Sequence, residues 1–166
     1  METYLKRLPA ELESAIAGAS PEAMQKAPPG KWSPGQILEH LYLSYKGTNK
    51  GIARCLETGT PLATAATMKQ RLSVLLVTGL GFFPEGVKAP ERTVPGGMPP
   101  EEVLGSIFGE IQKMAAGLDD CERRFGARTK IIDHPILGPL TANQWRKLHW
   151  LHGRHHARQI RGRIRL

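Results

Sequence analysis

Cysteine is scarce in this chain. Only Cys55 and Cys121 occur, in separate helical patterns and without a CxxC pair. That excludes a disulfide framework and fits reduced core thiols in a cytoplasmic protein. Aromatic residues are also few, at 6% of the composition. No apolar run approaches the roughly 20 residues that span a bilayer. The longest lies around Val74 to Phe83, and the stretch from Met1 to Ser14 has no apolar centre of signal-peptide type. No membrane partner is expected. Acidic residues are missing from the end of the chain. Arg146 to Leu166 carries seven basic residues and no Asp or Glu, whereas the remainder is nearly balanced at 16 basic and 15 acidic. The net charge of +8 therefore belongs to one segment rather than to the whole surface. No alternating strand pattern, internal repeat or interdomain linker is visible. The 166 residues read as one all-α domain, 1–166, with one core.

Glycine and proline are plentiful, with 18 and 13 residues, and they punctuate the helices. A short first helix is expected over Thr3 to Gly18. Ser20-Pro21-Glu22 is a cap with proline in the first turn, opening another short one. Ser33-Pro34-Gly35-Gln36 is a capping box that starts a helix reaching about Glu57 and ending at Gly59. Met68, Leu72, Leu75 and Leu76 predict a shorter helix ending near Gly79. Gly81 to Pro100 has no period and reads as an ordered cover or a mobile lid. From Pro100, the residues Leu104, Ile107, Phe108, Ile111, Met114, Ala115, Leu118 and Cys121 recur at three and four, and the pattern closes near Gly126. A loop through His134 to Pro139 follows. Thr141-Ala142-Asn143-Gln144 is a second capping box, opening a last helix that runs almost to the C-terminus. Four principal helices imply a helical bundle with a short N-terminal helix and long connecting loops. In such bundles metal sites form from side chains on facing helices.

Histidine is what the chain concentrates. Four of its six histidines fall between His149 and His156. His152 and His156 are four apart, which on a helix puts both rings on one face, about 5–6 Å apart at Cβ. Neutral imidazoles gathered on an inward stripe point to metal chemistry. At 100° per residue, Trp145, His149, His152, His156, Gln159 and Ile160 share about a third of the helix circumference. Lys147, Arg154, Arg158, Arg161 and Arg165 lie opposite, and His155 sits at the rim between the faces. The earlier Ser33 helix carries His40 on a face with Gln36, Ser44, Gly47 and Gly51. Those small residues suit either a pocket floor or close helix packing.

Two motifs carry a resemblance that covers nearly the whole chain. The first is Trp32-Ser33-Pro34-Gly35-Gln36-Ile37-Leu38-Glu39-His40-Leu41. The second is His152-Gly153-Arg154-His155-His156-Ala157-Arg158-Gln159-Ile160, more than 100 residues later. Both resemble the DinB/YfiT-like superfamily of four-helix-bundle metalloproteins. His134 to Thr141 and Trp145 resemble a subgroup signature before the final helix. The resemblance implies His40, His152 and His156 as a three-histidine site for one divalent ion, zinc or nickel, with a fourth position open to water or substrate. It also implies a homodimer and a small-molecule substrate. The chemistry implied is either metal-dependent hydrolysis or S-transfer with a low-molecular-weight thiol.

Three imidazoles and one exchangeable position form a catalytic rather than a structural zinc pattern. The chain has no HExxH, so no glutamate base stands in the usual metalloprotease place, and Glu39 should point about 100° away from His40. His149 is the candidate acid–base group, with a hydrogen-bonded core histidine as the alternative. Gln159 either orients a ligand ring, contacts substrate, or makes a helix–helix hydrogen bond. Gln36, Ser44, His134 and Trp145 are candidate pocket residues, and Trp32 is a core or pocket-wall aromatic. The basic face of the last helix suggests phosphate-backbone binding. Late cations also complement the helix dipole, and neither interleaved aromatics nor a helix-turn-helix accompanies them. Nucleic acid is therefore the weaker reading, and a basic rim suits an anionic substrate equally well. Metal binding without catalysis is a third reading.

Overall fold

The computed structural model describes residues 4–81 and 88–165, and the chain is mainly helical. Helix α1 spans Tyr4–Ile16, α2 Pro21–Gln25, α3 Pro34–Thr58 and α4 Met68–Val74. A π-helical turn at Leu75–Gly79 continues α4. A 3-10 turn, Glu91–Thr93, precedes α5 at Pro100–Phe125. Strands β1 (Lys130–His134) and β2 (Gly138–Thr141) lead into α6, Ala142–Ile164.

The capping chemistry decides where the long helices begin. Ser33 Oγ accepts the Gln36 N–H at 3.2 Å while Gln36 Oε1 accepts the Ser33 N–H at 2.9 Å. Thr141 and Gln144 repeat the arrangement at the start of α6, and so do Thr67 and Gln70 at α4. Each box satisfies two amides that the first helical turn leaves without partners. Gly59 ends α3 at φ +71°, a conformation that costs glycine nothing.

Helix α3 packs most extensively on α5, and α1 on α6; α6 also meets α3 and α5. The apolar periods set those pairings. Leu5, Leu8, Leu12 and Ala15 bury one face of α1. Ile107, Ile111, Met114, Leu118 and Cys121 bury one face of α5, joined by Val103, with Leu104 and Phe108 half-buried at its edge. Glycines allow the closest approaches. A Cβ on Gly117 would stand 2.7 Å from Ile52 Cγ2, and one on Gly153 would collide with Leu8 Cδ1. Gly153, inside the histidine cluster, is thus where α1 presses onto α6.

The mainly helical expectation holds, but the loop expected before α6 is instead a two-stranded antiparallel hairpin. Ile132 pairs with Leu140, Asp133 with Pro139 and His134 with Gly138, and a bulge interrupts the register between Lys130 and Ile132. The bulge allows both Ile131 and Ile132 to be buried, at 0% and 7% exposure, which hides any period of two. His134 Nδ1 accepts the N–H groups of Ile136 and Leu137 at 3.2 and 3.1 Å and shapes the turn. Of the segment expected to cover the fold, Gly81 to Pro100, residues 82–87 lie outside the described residues. Among the described residues no helix is long and apolar enough to cross a membrane.

Candidate metal centre

His40 projects from the second turn of α3, and His152 and His156 from successive turns of α6. Their Nε2 atoms converge. His40 Nε2 lies 3.1 Å from His152 Nε2, and His156 Nε2 lies 3.0 Å from it. Three suitable nitrogens lie within 4.8 Å of one another, a grouping that could hold a metal ion. Imidazole nitrogens bound tetrahedrally at about 2.0–2.1 Å from zinc stand roughly 3.3 Å apart, so the spacing suits such an ion.

The other ring nitrogens are held in the sense that ligation needs. His40 Nδ1 is 2.8 Å from the Thr93 carbonyl oxygen. A carbonyl only accepts, so Nδ1 carries the proton and Nε2 keeps its lone pair. His156 Nδ1 is 2.8 Å from Gln159 Oε1, and the Gln159 amide nitrogen is 3.1 Å from His155 Nε2. His156 thus donates to the amide oxygen, Gln159 donates to His155, and His156 Nε2 is also a lone pair. This assignment follows from the hydrogen-bond network. A neutral His152 has at most one proton to offer two inward lone pairs. A cation satisfies all three at once, so the donor set fits a divalent metal.

Burial keeps the rings neutral. It pushes His156 down to about 3, with His40 acting in the same direction and the Gln159 hydrogen bond against it. His152 falls well below the usual histidine value through burial and then the neighbouring His156 and His40. His40 is lowered by burial and partly restored by its bond to Thr93. Neutral imidazole is the metal-binding form.

A buried carboxylate fixes the segment that supplies Thr93. Glu39 is 2% exposed and its oxygens accept the N–H groups of Gly96, Gly97 and Met98 at 2.6, 3.0 and 3.1 Å. Glu39 does turn away from the triad, and what it holds is the covering chain rather than solvent. The described part of the cover therefore contacts the site through Thr93 and is held beside it by Glu39. Sequence reasoning gave Glu39 no such role, although an acid amid Ile37, Leu38 and Leu41 marks a buried charge in need of donors. Thr93 acts through its main chain and leaves no residue-type signal.

His149 is buried, and its Nε2 lies 3.0 Å from Thr48 Oγ1 rather than with the converging nitrogens. Its ring stacks on Trp145 at 5.5 Å and meets Tyr45 edge-on at 5.3 Å. Burial lowers its pKa to about 3. This placement favours the hydrogen-bonded core alternative over the acid–base one. Trp145 is buried and donates its indole N–H to the Ile132 carbonyl, and the His134 ring lies 5.6 Å from it. Gln36 is exposed, with its carbonyl taken by the cap of α3. The Ser44 hydroxyl donates to the His40 carbonyl at 2.8 Å. Trp32 tilts over His40 at 5.1 Å between centroids, as a wall of the centre. Of the two glycines that suited either a pocket floor or close packing, Gly51 packs against Ile132 and Gly47 is exposed. The expected basic face of α6 is partly engaged. Arg161 pairs with Glu11 at 2.7 Å and Arg154 lies over Trp150, whereas Arg158 and Arg165 are exposed.

Among protein families, the chain matches one described as proteins of unknown function, DUF1569, over residues 10–163. No curated protein matches the chain, and no solved structure does. The match runs from within α1 almost to the end of α6, so it takes in both histidine helices and the hairpin between them. This chain belongs to the DUF1569 family.

Proposed function

We propose that the chain is a DinB-like four-helix-bundle metalloprotein in which His40, His152 and His156 hold one divalent ion, zinc or nickel, for chemistry on a small molecule. The observation that carries this is the inward set of three Nε2 atoms, two of them fixed as lone pairs by Thr93 and Gln159. Fixing the distal nitrogen of each ligand ring is what functional metal sites do to orient the ligand and raise its basicity. An ion held by three neutral imidazoles lowers the pKa of a bound water to about 7 or binds a thiol as thiolate. The reaction is accordingly hydrolysis or thiol S-transfer. The protein's own part is to hold the rings neutral, through burial, and oriented, through Thr93 and Gln159. A cytoplasmic setting and a homodimer come from the sequence reading and the family resemblance.

A non-catalytic centre is the second reading, favoured by the burial of His40 and His156 at 4% and 9% exposure. An ion there would tie α3, α6 and the covering segment together. The test is a screen of hydrolysable esters and amides, and of low-molecular-weight thiols with electrophiles, in the presence of zinc or nickel. Turnover that requires metal and vanishes in His152→Ala supports the enzyme. Tight metal binding, with chelation lowering the thermal midpoint and no turnover, supports the structural centre.

A further inference from the structure

A second site lies away from the histidines. A cleft of about 520 Å³ opens between α4, its π turn and the hairpin. Arg71 and Lys130 reach it from opposite walls, and Val74, Leu75, Leu137 and Pro139 give it an apolar side. Among the described residues no aspartate or glutamate lines it, and no histidine of the triad does.

The two cations have no acidic partner among the described residues, where the ion pairs join Arg123 to Asp120, Arg146 to Asp119 and Glu122, and Arg161 to Glu11. Lys130 Nζ donates to the neutral Gln144 Oε1 at 2.5 Å, so no acidic group among the described residues offsets its charge. Burial and then the charge of Arg71 lower the Lys130 pKa, the expected result of two like charges sharing one cleft. Asp133, on the same strand as Lys130, is occupied by the Thr64 N–H at 3.0 Å and the Thr64 hydroxyl at 2.6 Å.

The walls are built rather than incidental. Gln70 closes the capping box of α4 and also lies against Gly138. A Cβ on Gly138 would stand 2.5 Å from the Gln70 amide carbon, and this glycine has φ +71°. Only glycine permits both the turn and the contact, and that contact seats α4 on the hairpin. The volume falls within the roughly 300–1,000 Å³ of small-molecule pockets, which pair apolar walls with a few placed polar groups. Paired uncompensated cations select an anion, and a guanidinium suits carboxylate or phosphate oxygens.

We infer that this cleft binds a small amphipathic anion, a carboxylate or phosphate monoester on a short apolar body. Arg71 and Lys130 hold the anionic group, and the wall of Val74, Leu75, Leu137 and Pro139 takes the apolar part. The inference does not depend on the metal centre.

Calorimetric titration of the full chain with octanoate, octyl phosphate, inorganic phosphate and octanol tests it. Saturable one-to-one binding of octanoate or octyl phosphate is expected, at least tenfold tighter than octanol or inorganic phosphate. Arg71→Gln combined with Lys130→Gln should weaken it at least tenfold, and His152→Ala should leave it unchanged. If the double variant loses its helical circular dichroism, Arg71→Gln alone, at an exposed position, should still weaken binding severalfold. Octanol binding as tightly as octanoate would mean apolar adsorption to exposed Met68, Leu72 and Leu80, and would overturn the assignment. So would undiminished binding in the folded variants, or no saturable binding of either amphiphile.

Discussion

The Thr93 carbonyl oxygen stands 2.8 Å from His40 Nδ1 and joins the covering segment to the centre 53 residues earlier in the chain. Glu39, the neighbour of His40, holds the same segment through three successive amides at 96–98. Two adjacent residues of α3 thus grip one strap, the first by its ring and the second by its carboxylate.

Releasing the strap should weaken the centre. Glu39→Ala leaves three amides without their acceptor; hydrogen bonds to a charged group contribute about 1.5–3 kcal/mol each net of solvation, and water reaching the exposed Gly96 and Gly97 offsets part of the loss. The expected result is a stability loss of about 2–4 kcal/mol in urea unfolding. Zinc affinity should fall as well, because Thr93 no longer sets the tautomer of His40. Unchanged zinc affinity in a folded Glu39→Ala protein would show that the strap does not support the site.

Gln159 is the corresponding support on α6. Gln159→Leu keeps the bulk and removes the acceptor for His156 Nδ1. Metal affinity should drop about 10–100-fold with little change in the unfolding midpoint, as competition with a chromogenic chelator would read. Equal affinities would reduce Gln159 to a surface hydrogen bond.

Much of this centre was legible because its signals are local. Ser33 and Gln36, like Thr141 and Gln144, announce where the two histidine helices begin, and the i, i+4 spacing of His152 and His156 determines that they share a face. The hairpin was missed because the bulge at Lys130 to Ile132 places Ile131 and Ile132 in the core together and removes the alternation that marks a strand. Pro139 within β2 also argues against a ladder position. Gly51 was ambiguous because its neighbour, Ile132, belongs to that unread hairpin. Thr93 was invisible because a main-chain carbonyl has no residue-type signature.

Gly153 sits among the histidines for a steric reason. Alanine is the better helix former by about 1 kcal/mol, yet a Cβ here would meet Leu8 Cδ1 and come within 3.1 Å of Tyr45 Oη. Gly153→Ala should therefore destabilise the protein, by about 1–3 kcal/mol, and loosen α1 from α6. Guanidinium unfolding with hydrogen exchange in α1 reads both effects. A stabilised variant would contradict this packing.

Acid should act on the hairpin through His134, whose pKa burial lowers to about 4. The folded value lies below the unfolded one of about 6.5, so the unfolded chain binds the proton first. No penalty arises above about pH 6.5; stability falls as pH drops from there towards 4, by at most about 1.4 kcal/mol per pH unit from this residue. His134→Asn retains an acceptor for the Ile136 and Leu137 amides and does not titrate. Its stability profile between pH 6.5 and 4 should be flatter than wild type by close to one proton. Parallel profiles would place the acid sensitivity elsewhere.

Elemental analysis of the purified, tag-free protein beside His40→Ala, His152→Ala and His156→Ala tests the central claim most directly. About one zinc or nickel ion per chain in the wild type, lost in all three folded variants, is the predicted result. A wild-type protein that binds no divalent metal even after reconstitution, or variants that keep a full complement, would contradict it.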